Sequence, residues 1–297
     1  MTDGTMNGGE VLVATLLSRD IDTVFFVPGG TYTTVLEALS RVQNKIRSVP
    51  TRLESSAGFA CDAYAGIKRK PTCMFVSRAP GASNAAIGVH NAMQASRPFV
   101  LFIADIPKPL RGRESFQEID YHLMYEPVAK AVLDVDSFDD VADTVARAID
   151  LSVSGRPGPV VCVVSTQILD GDTGEPNIPK PTAPVRIGAD RKAVAEAAKL
   201  IEASKHPIIL AGELIAAENA GAELHQLADA TGAGVLTAYR QQDVIDNLHP
   251  AHFGQLTLNR LPYQNEALAE CDLILSIGSR LDSATTANYT MFRDDQK

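Results

Sequence analysis

TRLESSAGFACDAYAGIKRKPTCMFVSRAPGASN, residues 51–84, is the stretch from which the fold of this chain is read. It holds an acidic residue at a helix start, a helix of small residues, a buried strand and a Pro-Gly loop. Residues 47–51 form a short strand candidate, and from Glu54 no proline interrupts the chain until Pro71. Ala57, Gly58, Cys61 and Ala65 then recur at helical spacing on the face that carries Glu54. A face of Ala, Gly and Cys lets another helix approach closely. Gly58 costs about 1 kcal/mol in a helix interior relative to Ala, and close packing is a reason to keep it. Thr51 and Glu54 also match a capping box, in which the glutamate bonds back to the backbone of the N-cap residue. Spacing alone favours that capping role.

Outward from this stretch, strand and helix patterns alternate. Residues 10–19 are a helix candidate, 23–27 a strand ended by Pro28-Gly29-Gly30, and 31–42 a helix with Val35, Leu36 and Leu39 inward. Residues 72–77 are a strand, 78–84 a loop and 85–95 a helix. Residues 98–104 are a continuous apolar run, as in a strand covered on both faces. Residues 106–125 are irregular and polar, 131–135 a strand, 138–152 a helix and 159–164 a strand. This alternation predicts an α/β fold with a parallel sheet and helices on both faces. Ligands bind outside the carboxyl ends of such strands, so the segments at Pro28, at Glu54 and at Pro80 to Asn84 converge on one edge.

Residues 170–185 contain four prolines and two glycines and read as an interdomain linker. A second alternating unit follows, with helices at 190–203 and 217–231 and strands at 206–211, 234–238 and 272–277. The expected organisation is two doubly wound parallel-sheet domains, 1–169 and 186–297, joined by 170–185, the second incomplete as written.

The composition excludes several classes. The net charge of −9 argues against nucleic acid or an anionic membrane surface as main partner. No apolar run approaches the roughly 20 residues that span a bilayer, and residues 1–10 have no signal-peptide core. Cys61, Cys73, Cys162 and Cys271 sit singly in apolar stretches and read as buried free thiols of a reducing, cytoplasmic compartment.

Five motifs in order carry a resemblance: Phe26-Val27-Pro28-Gly29-Gly30, Arg52-Leu53-Glu54 with its small-residue helix, Pro80-Gly81-Ala82-Ser83-Asn84, Phe116-Gln117-Glu118, and the run from Ser154 to Val160. In order and spacing the chain resembles the thiamine-diphosphate-dependent enzymes of the acetolactate synthase and 2-oxo-acid decarboxylase superfamily. Residues 6–165 resemble the pyrimidine-binding domain, and 186–297 the start of the central domain. The resemblance implies that Glu54 hydrogen-bonds the aminopyrimidine ring of thiamine diphosphate and favours the imino tautomer, whose nitrogen deprotonates the thiazolium carbon. That carbon then attacks a 2-oxo acid, and the ring takes up electrons as carbon dioxide leaves. A closed apolar interface around Glu54 would raise its proton affinity. The resemblance also implies cofactor contacts at Val27, Pro28, Pro80 and Asn84, Gln117 near the reacting carbon, and Phe116 as a packing residue. Without it, Pro80-Gly81 reads as an ordinary turn, Asn84 as a helix N-cap and Phe116 as core.

It further implies a homodimer or homotetramer, with a second copy across the Glu54 helix. Diphosphate and Mg2+ would be held by a C-terminal domain or subunit absent from this chain, which has no metal site of its own and is expected to be inactive in isolation. Residues 171–177 superficially match the diphosphate motif but lie in the proline-rich linker and are rejected. There are departures from the family pattern. Leu53 stands where many relatives carry histidine, and Arg78-Ala79 precede Pro80-Gly81 where relatives often read Gly-Pro-Gly. Ala211-Gly212-Glu213 lacks the glycine-rich run of flavin-binding relatives, which argues against FAD.

Three rival readings are weighed. Ser83 loosely fits a hydrolase elbow but lies several residues past the strand end. His249 and His252 are the only close histidine pair, and the intervening proline disfavours a helical metal pair, so both read as loop residues. A non-catalytic regulatory or structural subunit of the same fold is the alternative to an enzyme.

Overall fold

Side chains of the first sheet alternate between two apolar layers, and both layers are buried. In β1 (Thr23–Phe26), Val24 and Phe26 enter one layer and Phe25 the other. In β3 (Thr72–Ser77), Cys73 and Phe75 oppose Met74 and Val76. In β4 (Phe99–Asp105), Val100, Phe102 and Ala104 oppose Phe99, Leu101 and Ile103. This two-sided burial explains why these strands read as apolar runs. With β2 (Arg47–Pro50), β5 (Ala131–Asp134) and β6 (Val160–Ser165) they form a parallel sheet of order β2-β1-β3-β4-β6-β5.

The computed structural model describes residues 5–172, 176–181 and 188–297. The chain divides into two units, 1–184 and 185–297. In the first, one layer is covered by α1 (Gly8–Ser18), α2 (Thr33–Arg41), α6 (Val141–Val153) and α7 (Thr166–Asp170). The other is covered by α3 (Glu54–Lys68), α4 (Ala79–Ala95) and the short α5 (Tyr121–Tyr125). Part of the expected linker lies on this unit: Ile178 packs against the first layer, and Arg19 donates to the Pro179 carbonyl at 2.6 Å. The rejected motif at 171–177 falls partly outside the described residues.

The second unit carries α8 (Arg191–Ala203), β7 (Pro207–Ala211), α9 (Glu213–Ala217), α10 (Gly221–Thr231), β8 (Gly234–Thr237), β9 (His252–Gln255), α11 (Pro262–Glu270) and β10 (Leu273–Ile277). Its sheet is parallel, of order β10-β7-β8-β9. The helix expected over 217–231 begins only at Gly221, and a separate short helix, α9, precedes it. Asn219 lies between the two in the left-handed region (φ 54°), which asparagine tolerates better than most residues. His252 opens β9 rather than lying in a loop. All four cysteines are free and buried, and burial pushes the thiols of Cys61, Cys73 and Cys162 up.

Candidate active site

The order of the first sheet reverses direction between β1 and β3, which opens a crevice at their carboxyl ends. Val27 and Pro28 follow β1, Glu54 opens the helix after β2, and α4 begins at Ala79 directly after β3. Glu54 Oε2 accepts a hydrogen bond from Asn84 Nδ2 at 3.0 Å. Glu54 has no cationic partner among the described residues, and Oε1 has no hydrogen bond. Gly81 leaves the room this needs, since a Cβ there would lie 3.3 Å from Glu54 Oε1 and 3.2 Å from Val76 Cβ.

Three expectations about these residues are corrected. Glu54 does not close a capping box. Leu53 is the N-cap, without a side-chain hydrogen bond, and the Thr51 hydroxyl donates instead to the carbonyls of Leu53 (3.0 Å) and Phe26 (3.4 Å). The motif's geometry is found at α1, where Asn7 and Glu10 bond each other's backbones. Residues 79–84 are not a loop but the first turns of α4, with Pro80 where a missing N–H costs nothing. Asn84 is therefore a helix-interior residue rather than an N-cap, free to turn its amide to Glu54. Ser83, also inside α4, sits on no strand-end elbow.

Tyr32 was not foreseen as part of the site. It is buried, and its hydroxyl donates to the Val27 carbonyl, fixing the chain just before Pro28. Burial, then the negative charge of Glu54, push its phenol well above the ordinary range. Thr31 donates to Ser77 Oγ at 3.1 Å, tying the Pro28-Gly29-Gly30 turn to the end of β3. Gly29 leaves room for that bond, because a Cβ would lie 2.1 Å from Ser77 Oγ and force the hydroxyl to turn away. Pro28 and Pro80 are exposed and Glu54 is half-buried. The closed surround expected for Glu54 is thus not built by this unit alone.

Gln117 reaches the same edge through its backbone, whose carbonyl accepts from Ala79 N at 3.3 Å. Its φ of 64° places it in the left-handed region. Phe116 is 75% exposed and is neither core nor packed. Glu118 anchors the turn by accepting from Gly112 N and, at 2.9 Å, Ser115 N. Behind it, Arg111 bridges Asp105 (3.0 Å) and Asp134 (2.9 Å), and His122 bonds Asp134 (2.6 Å) and Glu126 (3.1 Å).

Hydrogen bonds to Asp134 and then Glu126 raise the His122 pKa above 6.5. Burial opposes ionisation of Asp134, but bonds from His122 and Arg111 more than offset it and hold that carboxyl below 3.8. The His122 contribution is complete below its unfolded pKa and is lost as pH rises through the raised one. The Asp134 contribution is complete above its unfolded pKa and is lost as pH falls through the lowered one. Protection of residues 106–125 from proteolysis is therefore expected to be greatest between these limits and to decline as pH rises through the raised His122 value. A flat profile from pH 5 to 9 would remove the network from the account.

The small face of α3 is occupied within the chain. Ala57, Gly58 and Cys61 pack against Ala85, Gly88 and Ala92 of α4, and a Cβ on Gly58 would lie 2.9 Å from Gly88 Cα. The close helix partner expected for this face is thus α4 and not a second copy. Among polar neighbours, the two helices leave three large apolar side chains outward: Phe59 (42% exposed), Ile67 (80%) and Ile87 (56%).

Among the described residues no cluster of three or more His, Cys, Asp or Glu could hold a metal ion, and no helix is long and apolar enough to cross a membrane. In the second unit Gly212 is explained by packing, since a Cβ would lie 2.2 Å from Ser279 Cα.

Residues 6–124 match the family described as thiamine pyrophosphate enzyme, N-terminal TPP binding domain, and residues 194–297 match its central domain. A probable acetolactate synthase large subunit from Methanocaldococcus jannaschii is 28% identical over 98% of this chain and 50% of its own length. An acetolactate synthase from Mycobacterium bovis is 28% identical over 98% of this chain and 48% of its own. The acetolactate synthase large subunit of Corynebacterium glutamicum is 29% identical over 98% and 47%. The chain spans about half the length of the curated relatives it matches. Two domains of one family, matched in order along the chain, place this protein in the thiamine pyrophosphate enzyme family, as an acetolactate-synthase-like member.

Proposed function

We propose that this chain supplies the pyrimidine-binding part of a thiamine-diphosphate-dependent enzyme that decarboxylates a 2-oxo acid and joins the remaining fragment to an acceptor, as an acetolactate synthase does. One observation carries this reading: a half-buried carboxylate at the sheet's switch point, held at one oxygen by Asn84 and open at the other. Thiamine diphosphate, when bound, supplies the electron sink for cleaving the bond between the carbonyl and carboxylate carbons. The chain's own residues do the rest. Glu54 Oε1 is the acceptor for a proton held at the ring nitrogen of the aminopyrimidine. Asn84 fixes the other oxygen so that the acid keeps one orientation. Gly81 keeps the approach to Oε1 open, and Tyr32 holds the Val27 carbonyl beside it. Exposed Pro28 and Pro80 offer apolar edges against a flat ring.

Diphosphate and Mg2+ are assigned to the further sequence that the relatives possess, whether in the same polypeptide or another. A second copy of the chain is assigned to the outward face of α3 and α4, where Phe59 and Ile67 of the helix that starts at Glu54 and Ile87 of α4 are exposed. Closure of the site against that copy would exclude water from the acid.

The test is a calorimetric titration, with thiamine diphosphate and Mg2+, of this chain together with the sequence or subunit that supplies the diphosphate site, followed by carbon dioxide release from 2-oxo acids. Saturable binding is expected, weakened about tenfold by Asn84→Ala, in keeping with loss of one partly exposed hydrogen bond to a charge. Absence of binding would end the assignment. Binding without turnover of any 2-oxo acid would leave a non-catalytic member of the fold.

A further inference from the structure

We propose that Arg78 sets substrate specificity at this site by pairing with a second acidic group, on the side chain of the 2-oxo acid. The inference rests on the site reading under Proposed function and extends it to a substrate class.

Arg78 stands between β3 and α4, immediately before the turns that carry Gly81 and Asn84 to Glu54. Its position is settled by the backbone: the next residue, Ala79, donates to the Gln117 carbonyl. Arg78 therefore lies where the α4 start meets the segment bearing Gln117.

Its donors are almost unused. A guanidinium carries five N–H groups. Nη1 reaches the Phe116 carbonyl at 3.4 Å, at the outer limit of a hydrogen bond, and Nε is buried with no partner. No carboxylate pairs with Arg78 among the described residues. Arg19 pairs with Asp150, Arg41 with Glu10, and Arg111 with Asp105 and Asp134, whereas Arg47, Arg52, Arg113 and Arg147 have no carboxylate partner among the described residues but lie in solvent; Arg78 differs from these in its buried Nε. The 17-residue helix that begins at the next residue turns its positive end to the same place. A cation there is repelled by the helix, and both together favour an anion.

The chemistry selects which anion. A carboxylate held by arginine is stabilised in the ground state, and that opposes its loss as carbon dioxide. A guanidinium fork suits a carboxylate that stays. The group it fits is a second acid on the substrate, as in a dicarboxylic 2-oxo acid.

The experiment uses the full-length protein loaded with thiamine diphosphate and Mg2+, and two five-carbon probes, 2-oxoglutarate and 2-oxopentanoate. They differ only in the second carboxylate. The wild-type ratio of kcat/KM is expected to favour 2-oxoglutarate. Arg78→Gln should lower that ratio by about 30-fold or more, the scale of losing one partner of a desolvated charge pair. Arg78→Lys should restore part of it, because the charge returns without the fork. A ratio that Arg78→Gln leaves unchanged, or a wild type that prefers 2-oxopentanoate, would overturn the proposal. If neither acid is turned over by the wild type, the catalytic reading has failed. Titration of both acids then decides the Arg78 assignment alone. Tighter binding of 2-oxoglutarate that Arg78→Gln abolishes sustains it, and equal binding overturns it. Should Arg78→Gln lose its circular-dichroism signature, the comparison is made with Arg78→Lys.

Discussion

Under the proposed function, Glu54→Gln is expected to lower kcat of the full-length, cofactor-loaded protein by about 10²–10⁴-fold, the usual worth of a positioned acid–base group. The substitution keeps the shape of the side chain. Its amide oxygen still accepts from Asn84, so the hydrogen bond at 3.0 Å that orients the group survives. What is lost is the charge and the ability to take a proton at Oε1. Tm and the affinity for thiamine diphosphate are accordingly expected to change far less than turnover. Steady-state carbon dioxide release, a thermal melt and a cofactor titration on the same preparation separate these effects. Turnover within threefold of wild type would remove Glu54 from the chemistry. A melt that collapses with the activity would instead make it a structural residue.

Gly58→Leu is expected to unfold or grossly destabilise the first unit. The contact is backbone to backbone in both directions: a Cβ on Gly58 meets Gly88 Cα at 2.9 Å, and one on Gly88 meets Gly58 Cα at 2.6 Å. Backbone cannot rotate aside as a side chain can, so the helices must part. Parting opens the layer that buries Ala57, Cys61, Ala85, Val89 and Ala92. Overpacking of this kind costs about 3 kcal/mol, with more where backbone must move. That is a large share of the roughly 5–15 kcal/mol by which a domain is stable. Even Gly58→Ala should lose more to this contact than the roughly 1 kcal/mol it gains in helix propensity. The urea midpoint reads the effect, and an unchanged midpoint for Gly58→Leu would refute the packing account. Ile67→Glu makes the contrast. It lies on the outward face, so it should leave the midpoint nearly unchanged and shift sedimentation toward the single chain.

Much of the first unit was legible because its local signals agree with its tertiary structure. The apolar runs at 72–77 and 98–104 have no polar face, and only a sheet covered on both sides accepts them. Glu54 and Asn84 stood out through a motif order that resembles a family, since neither spacing nor composition separates a catalytic acid from a helix cap. Thr51 and Glu54 satisfy the capping pattern and do not form it. Asn7 and Glu10 satisfy it and do. The difference lies in where the preceding strand delivers the chain, which no four-residue window contains. The site members missed, Tyr32 and Ser77, carry no motif. Each matters through a neighbour distant in sequence: Tyr32 through Glu54, 22 positions on, and Ser77 through Thr31, 46 positions back.

By itself the sequence determined the α/β class, the alternation of the main strands and helices of the first unit, the four buried thiols and the segments that converge on one sheet edge. These follow from hydrophobic period and turn chemistry, which are local. Tertiary structure alone decided that the small-residue face of α3 belongs to α4, that Pro80 starts a helix, that Phe116 faces solvent, and that Arg78 has no acid paired with it among the described residues. Each of these depends on which surfaces meet, and burial and pairing are properties of a meeting and not of a segment.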